Sequence, residues 1–239
     1  MRFVTTLLYH TAGYLSEMDA TVTAAEPGRI VLDQTVFYAQ SGGQPADYGT
    51  LGWNGGQSRV VDVRRQGEDL VHHVEGDTPP VGVRVRGTLD WERRYALMRA
   101  HTALHILCGV IWRDYGAPVT GGSMEPGKAR MDFELESMSA GFAEEIETRA
   151  NAEIAANSEI RIRILPRAEA FAIPDLIRTK INLLPEGIAE IRVVEIVGLD
   201  LQADGGTHVA RTGEVGHIRV AGHESKGRIN KRLRLLIEP

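Results

Sequence analysis

The first third of the chain alternates short apolar or β-branched runs with turns rich in Gly, Pro and Asp. Runs of this length and composition predict β-strands. The predicted strands are Thr21–Thr23, Arg29–Leu32, Arg59–Val63, Leu70–His73 and Val83–Leu89. Short strands at such close spacing are typical of a small barrel. We therefore predict an N-terminal β-barrel domain over residues 1–89.

From Asp90 onwards the apolar positions follow a helical period. Between Trp91 and Trp112 the first Gly or Pro is Gly109, and apolar residues recur every three to four positions, which predicts a helix. Further predicted elements are a helix from about Ala140 to Asn157, strands at Arg161–Leu165 and Ile191–Val197, and a hairpin within His217–Ile237. Helices mixed with strands in this way predict an α+β domain over residues 90–239.

The composition is that of an ordinary globular protein, with 43% hydrophobic and 25% charged residues. The formal net charge of −5 offers no general attraction for nucleic acid, so a polyanionic partner would need a local basic patch. Cys108 is the single cysteine, which excludes an internal disulfide and fits a reducing cytoplasm. No signal peptide and no bilayer-spanning apolar run is evident. We expect a cytoplasmic protein without membrane association, and nothing in the sequence implies a stable protein partner.

Two histidines on the first predicted helix suggest metal chemistry. His101 and His105 are four residues apart, so both imidazoles lie on one helix face and can bind one metal ion. The spacing resembles that of zinc proteases, but Thr102 stands where those enzymes have their general-base glutamate, which excludes a metalloprotease. Spacing alone is weak evidence, because a helical histidine is more often a surface or core residue.

A second segment completes a ligand set. Asp204 and His208 flank a Gly-Gly turn, which allows both side chains to converge on one point. Together with His101 and His105 they form a four-ligand set of nitrogen and oxygen atoms, which suits tetrahedral zinc. The residues leave open whether such an ion activates water or only orients the substrate, and no general base is evident.

Several separated motifs, in this order, resemble one family. They are Ser41-Gly-Gly-Gln44, the stretch from Asp90 to His105 and the Gly205-Gly-Thr-His208 loop. The combination looks like the AlaX family, free-standing relatives of the editing domain of alanyl-tRNA synthetase, and it covers nearly the whole chain. The resemblance is to the medium-length members. It implies an N-terminal β-barrel followed by an α/β two-layer editing domain of the threonyl/alanyl-tRNA synthetase type.

The resemblance also implies an activity and a cofactor. Members are ATP-independent hydrolases that deacylate tRNA(Ala) wrongly charged with serine, and in many members with glycine. One Zn²⁺ per chain would be bound by His101, His105, Asp204 and His208, with the three histidines as catalytic residues. The family commonly has cysteine at the position of Asp204, and a carboxylate usually binds zinc less tightly than a thiolate.

Two further side chains near the ligands have open interpretations. Cys108 lies on the same helical face as the histidines and is either a thiolate donor or, more commonly for such a residue, a small buried apolar side chain. Gln202 is either a supporting residue that reaches the site or an exposed loop amide.

The resemblance also implies a pocket for the amino acid and a loop that lies near the acceptor end of the tRNA. Thr120 is the candidate that hydrogen-bonds the substrate's serine hydroxyl, and its alternative role is a turn hydroxyl that bonds its own backbone. Gly42, Gly43 and Gln44 belong to a barrel loop expected to approach the substrate. Without that context the same glycines indicate a tight turn.

A basic segment near the C-terminus is the candidate for tRNA binding. Its cations are Lys226, Arg228, Lys231 and Arg232, in a stretch with few acidic residues. Such residues contact backbone phosphates, although scattered cations are more often a solvated face. Arg130 and Asp132 match a further editing-domain motif and are interpreted as structural or pocket-lining.

Two other functions compete with the editing enzyme. A non-catalytic tRNA-binding module with a degenerate metal site would follow if Asp204 no longer supports metal binding. A general metallohydrolase acting on small molecules is disfavoured by Thr102 and by the number of matching motifs.

Overall fold

The computed structural model describes residues 4–135, 141–180, 184, 187–225 and 229–239. Two compact units divide the chain, Met1–Ala96 and Leu97–Pro239. Within the described ranges the helices are α1 (Trp91–Tyr115), α2 (Phe142–Ala155) and α3 (Arg167–Ala170). Among the helices of that part of the chain, none combines the length and apolar character needed to cross a lipid bilayer.

The first unit contains a closed β-barrel, as predicted. The strands of this unit are β1 (Thr6–Leu7), β2 (Glu17–Glu26), β3 (Arg29–Leu32), β4 (Gln34–Thr35), β5 (Gly49–Trp53), β6 (Gly56–Gln66), β7 (Asp69–Gly76) and β8 (Arg84–Leu89). The barrel closes in the order β2-β3-β7-β6-β5-β8. Four of the five predicted strands lie within these elements, and the fifth, Val83–Leu89, begins one residue before β8. The sequence did not predict β5, because its two glycines weaken the strand signal.

The loop between β4 and β5 contains a tight turn. Ser41 and Gln44 exchange two backbone hydrogen bonds of 3.1 and 2.8 Å. Gly42 and Gly43 have φ angles of 56° and 86°, a region that glycine adopts without steric cost. The interpretation of these glycines as turn residues is therefore confirmed.

A fully buried ion pair holds this loop against the start of α1. The Arg94 and Asp47 side chains are both 0% exposed and are joined through several hydrogen bonds. Asp47 also accepts the Tyr38 backbone N–H at 2.7 Å, and Arg94 donates to the carbonyl of Gly13 at 2.8 Å. Asp90 caps the helix by accepting the Arg93 backbone N–H at 3.1 Å. The loop and the first turn of α1 thus form one hydrogen-bonded network.

The second unit has the mixed α+β architecture that the sequence predicts. Its strands are β9 (Val119–Glu125), β10 (Lys128–Glu134), β11 (Ile160–Pro166), β12 (Glu190–Ile196), β13 (Asp200–Ala203), β14 (His217–Ser225) and β15 (Asn230–Glu238). They form two antiparallel sheets, in the orders β14-β15-β10-β9 and β11-β12-β13. α2 packs against β14. β10 was not predicted, although its alternation of polar and apolar residues carries a strand signal.

α1 is buried on every side along its central part. Every residue from Ala100 to Ile111 is buried, including both histidines. A helix enclosed in this way belongs to a protein interior rather than to a surface. Gly109 is needed there, because a Cβ atom at this position would lie 2.7 Å from Leu199 Cγ and 3.0 Å from Asp200 Cβ. The helix therefore brings its polar side chains into the core of the second unit.

We predict that Asp47→Asn destabilises the protein by about 3–5 kcal/mol, because it leaves Arg94 buried without its countercharge. The free energy of unfolding is measured by urea denaturation. The matched control is Glu17→Gln, which breaks the Arg86–Glu17 pair, whose side chains are 65% and 50% exposed. We expect the control to leave stability unchanged. Equal stability of the two variants would contradict the importance of the buried pair.

Candidate metal centre

Two elements of the second unit bring four potential metal ligands together. α1 supplies His101 and His105, and the loop after β13 supplies Asp204 and His208. Each residue offers one ligand atom, and these atoms all lie within 4.8 Å of one another. The centroid of the His101 ring lies 4.3 Å from that of His208 and 5.1 Å from that of His105. The cluster could hold a metal ion.

The protonation states of the cluster suit metal binding. Burial lowers the pKa of His101 to about 4 and that of His208 well below its ordinary value, so both rings are neutral near pH 7. Burial also acts on His105, but the Asp200 and Asp204 carboxylates outweigh it and raise the pKa of this ring. A neutral imidazole offers the lone pair that a metal ion needs. His101 and His208 therefore offer such lone pairs, and binding of a metal ion would require the His105 ring to be neutral as well. Three imidazole nitrogens and one carboxylate form a donor set suited to zinc.

Asp204 is held in place from its own loop and from β12. Its Oδ2 accepts the Gly206 backbone N–H at 2.7 Å and lies 3.0 Å from His208 Nε2. Arg192 donates to the Asp204 carbonyl at 2.8 Å, and its Nη1 lies 3.6 Å from Oδ2. Burial opposes ionisation, yet the histidines around Asp204, His101 first among them, hold its pKa well below the usual value. Its Oδ1 lies 3.5 Å from His101 Nε2, so this oxygen faces the other ligands.

Thr102 supports the cluster from behind His208. Its side chain is 0% exposed, and its Oγ1 lies 3.2 Å from His208 Nδ1. The same oxygen accepts the Val209 backbone N–H at 3.3 Å. When Nδ1 carries the ring proton and donates it to Thr102, Nε2 keeps its lone pair for a ligand. In the sequence Thr102 is notable only because it stands where zinc proteases have their general-base glutamate. Its contact with His208 was not predicted.

Gln202 and Cys108 lie on the His105 side of the centre. Gln202 donates from Nε2 to Asp200 Oδ2 at 2.6 Å, and Asp200 lies beside His105. Gln202 is thus in position to support a ligand through Asp200. Cys108 is buried, its pKa is raised well above the ordinary value by burial, and it does not belong to the ligand cluster found within the described ranges. Cys108 is thus a buried thiol outside the cluster, with Gln202 and Asp200 among its neighbours.

The predicted substrate-binding residues are distributed over both units. Thr120 is exposed at the start of β9, where its Oγ1 donates to Asn230 Oδ1 at 2.9 Å. Gly42, Gly43 and Gln44 belong to the tight turn of the first unit, and Gln44 is buried there. Their roles toward a substrate stay predictions.

The predicted tRNA-binding cations include two that lie outside the described residues, Lys226 and Arg228. Lys231 is 6% exposed and donates to Ser225 Oγ at 3.0 Å. Arg232 donates two hydrogen bonds of 2.7 Å to the carboxylate of Asp132. Both described cations thus have partners within the protein, and their contact with tRNA stays a prediction.

Two protein-family models match parts of this chain. The family described as threonyl and alanyl tRNA synthetase second additional domain matches residues 191–234, and the family described as class II (A) tRNA synthetases matches residues 8–93.

Individual relatives match over most of this chain. The alanyl-tRNA editing protein AlaX-M of Methanosarcina mazei is 38% identical over 96% of this chain and 95% of its own length. The AlaX-M protein of Saccharolobus solfataricus is 37% identical over 97% and 98%. The alanine–tRNA ligase of Pyrobaculum aerophilum is 42% identical over 89% of this chain, which corresponds to 25% of the ligase.

We predict that Thr102→Val weakens zinc binding by about tenfold, because His208 loses the partner that orients its ring. The free energy of unfolding should also fall by about 1–3 kcal/mol, since the buried Val209 N–H loses its acceptor. Zinc affinity is measured by competition with a chromophoric chelator. Thr102→Ser keeps the hydroxyl and should bind zinc like the wild type. Tight zinc binding by the valine variant would contradict the role of Thr102.

Proposed function

Because the chain belongs to the AlaX family of alanyl-tRNA editing proteins, we propose that it is a metal-dependent deacylase that hydrolyses mischarged tRNA(Ala), chiefly Ser-tRNA(Ala). The observation that carries the proposal is the convergence of His101, His105, Asp204 and His208 within 4.8 Å. We propose one Zn²⁺ per chain at this point, a barrel domain over residues 1–89 and an editing domain over residues 90–239. We also propose a cytoplasmic location, since charged tRNA is used there.

The reaction is the hydrolysis of the ester between the amino acid and the terminal ribose of the tRNA. A zinc ion held by the four ligands would supply Lewis acidity for this reaction. The chain itself orients the ligands: Thr102 holds His208, while Gly206 and Arg192 hold Asp204. The Thr102 oxygen already has two hydrogen-bonding contacts, to His208 and Val209, which leaves it poorly placed to act as a general base. The attacking water's proton then goes to another group, and the substrate's own ribose hydroxyl is a candidate.

Selection of serine over alanine rests in this proposal on Thr120. Its hydroxyl proton is directed to Asn230 Oδ1, so its oxygen is left as an acceptor. A serine hydroxyl can donate to that oxygen, whereas alanine has no hydroxyl to do so. A site built for a hydroxyl rejects the analogue that lacks it strongly.

The alternative is a tRNA-binding module without catalytic activity, in which the change from the family's cysteine to Asp204 has abolished metal binding. The low pKa of Asp204 and its oxygen facing His101 favour a working ligand instead.

We predict that purified protein deacylates Ser-tRNA(Ala), spares Ala-tRNA(Ala), loses activity on treatment with a chelator and regains it with zinc. Rates on Ser-, Gly- and Ala-charged tRNA(Ala) test this. His208→Asn should abolish the activity, whereas the matched variant of an exposed histidine, His217→Asn, should retain it. Binding of tRNA without hydrolysis would establish the alternative, and activity that survives complete metal removal would exclude metal dependence.

We further predict that Thr120→Val lowers kcat/KM for Ser-tRNA(Ala) by at least about tenfold more than for Gly-tRNA(Ala), because glycine has no hydroxyl to lose a partner. Thr120→Ser keeps the hydroxyl and serves as the control. Equal losses on both substrates would remove Thr120 from the pocket.

A further inference from the structure

A buried carboxylate lies beside the Nδ1 atom of His105. Asp200 is the first residue of β13, and its side chain is 0% exposed. Its Oδ2 lies 3.2 Å from His105 Nδ1, within hydrogen-bonding distance, although the geometry does not form a hydrogen bond. The contact at Nδ1 leaves Nε2 of His105 as the nitrogen available to the cluster. Asp200 itself is not one of the four clustered ligands.

Two polar side chains fix the orientation of this carboxylate. Gln202 donates to Asp200 Oδ2 at 2.6 Å. Arg178 donates from Nε to Oδ1 at a longer distance of 3.4 Å, and its guanidinium lies over the Trp112 ring at 4.6 Å from the centroid. Two donors, Gln202 and Arg178, therefore hold the carboxylate whose Oδ2 also lies beside His105. A rigid carboxylate is what an orienting partner of a histidine requires.

The packing of α1 independently shows that this close approach is built into the chain. Gly109 is one helical turn after His105, and a Cβ atom there would lie 3.0 Å from Asp200 Cβ. Glycine is less favourable than alanine in a helix interior. It nevertheless occupies the position where Asp200 of β13 approaches the helix closely.

We propose that Asp200 is the positioning residue of His105: it accepts the Nδ1 proton, fixes the tautomer and the ring orientation, and directs Nε2 at the metal ion. The inference rests on the metal centre of the proposed function and assigns a supporting residue to it. Loss of such outer partners typically weakens metal binding by about 10–100-fold.

The test uses Asp200→Asn, which keeps the size of the side chain but offers one acceptor oxygen instead of two. Zinc and cobalt affinities of the purified full-length protein are measured by chelator competition, and the cobalt d–d spectrum is recorded. We expect affinities about 10–100-fold lower and an altered cobalt spectrum. The matched control is Asp114→Asn, a carboxylate on α1 that pairs with two arginines, Arg113 and Arg149. The control should leave both metal readouts unchanged.

A second variant keeps the test decisive if Asp200→Asn does not fold. Gln202→Ala retains the carboxylate but removes its 2.6 Å hydrogen bond, and we expect a metal affinity about twofold to tenfold lower. Folded variants with wild-type affinities and cobalt spectra would overturn the role of Asp200 and leave the proposed function intact. Failure of the wild-type protein to bind either metal would overturn both.

Discussion

The structure depends on one costly arrangement, three histidines and a carboxylate that converge in the interior of the second unit. Buried polar groups are tolerated only when their remaining donors and acceptors have partners. Two of the four residues have hydrogen-bonding contacts outside the cluster. Thr102 lies behind His208, and the Gly206 amide lies beside Asp204. The ligands are therefore held in place by the fold itself, before any ion is considered.

The same constraint explains the character of α1. Its central residues are buried on all sides, so its histidines cannot escape to solvent, and burial keeps the pKa of His101 low. The helix also begins in the first unit, where Arg94 and Asp47 form an ion pair with no exposed surface. A buried pair of this kind is strongly destabilising when one partner is removed. α1 thus carries buried polar groups in both units, and neighbouring groups in each unit have to offset the cost of burying them.

Asp204 is the position at which the chain departs from the cysteine common in its family. The sequence raised the question of whether a carboxylate there still serves a metal ion. The surroundings of Asp204 favour that role, because Arg192 on β12 and the Gly206 amide hold one side of the residue while Oδ1 faces His101. In the proposed metal centre, a carboxylate with directed oxygens would take the place of the thiolate as a harder ligand.

The sequence by itself determined the elements whose signals are local. Alternating and helical periods placed the barrel strands and α1, and the spacing of His101 and His105 placed both rings on one helix face. The family followed from separated motifs in the right order. Strands β5 and β9 were not predicted from the sequence, because their glycines weaken the strand pattern.

Only the tertiary structure decided which distant residues support the site. Thr102 meets His208 across 106 positions, and Arg94 meets Asp47 across 47. Asp200 reaches His105 because Gly109 lets β13 approach α1. Such contacts join residues with no common period or motif, so they arise from packing and not from any local pattern in the chain.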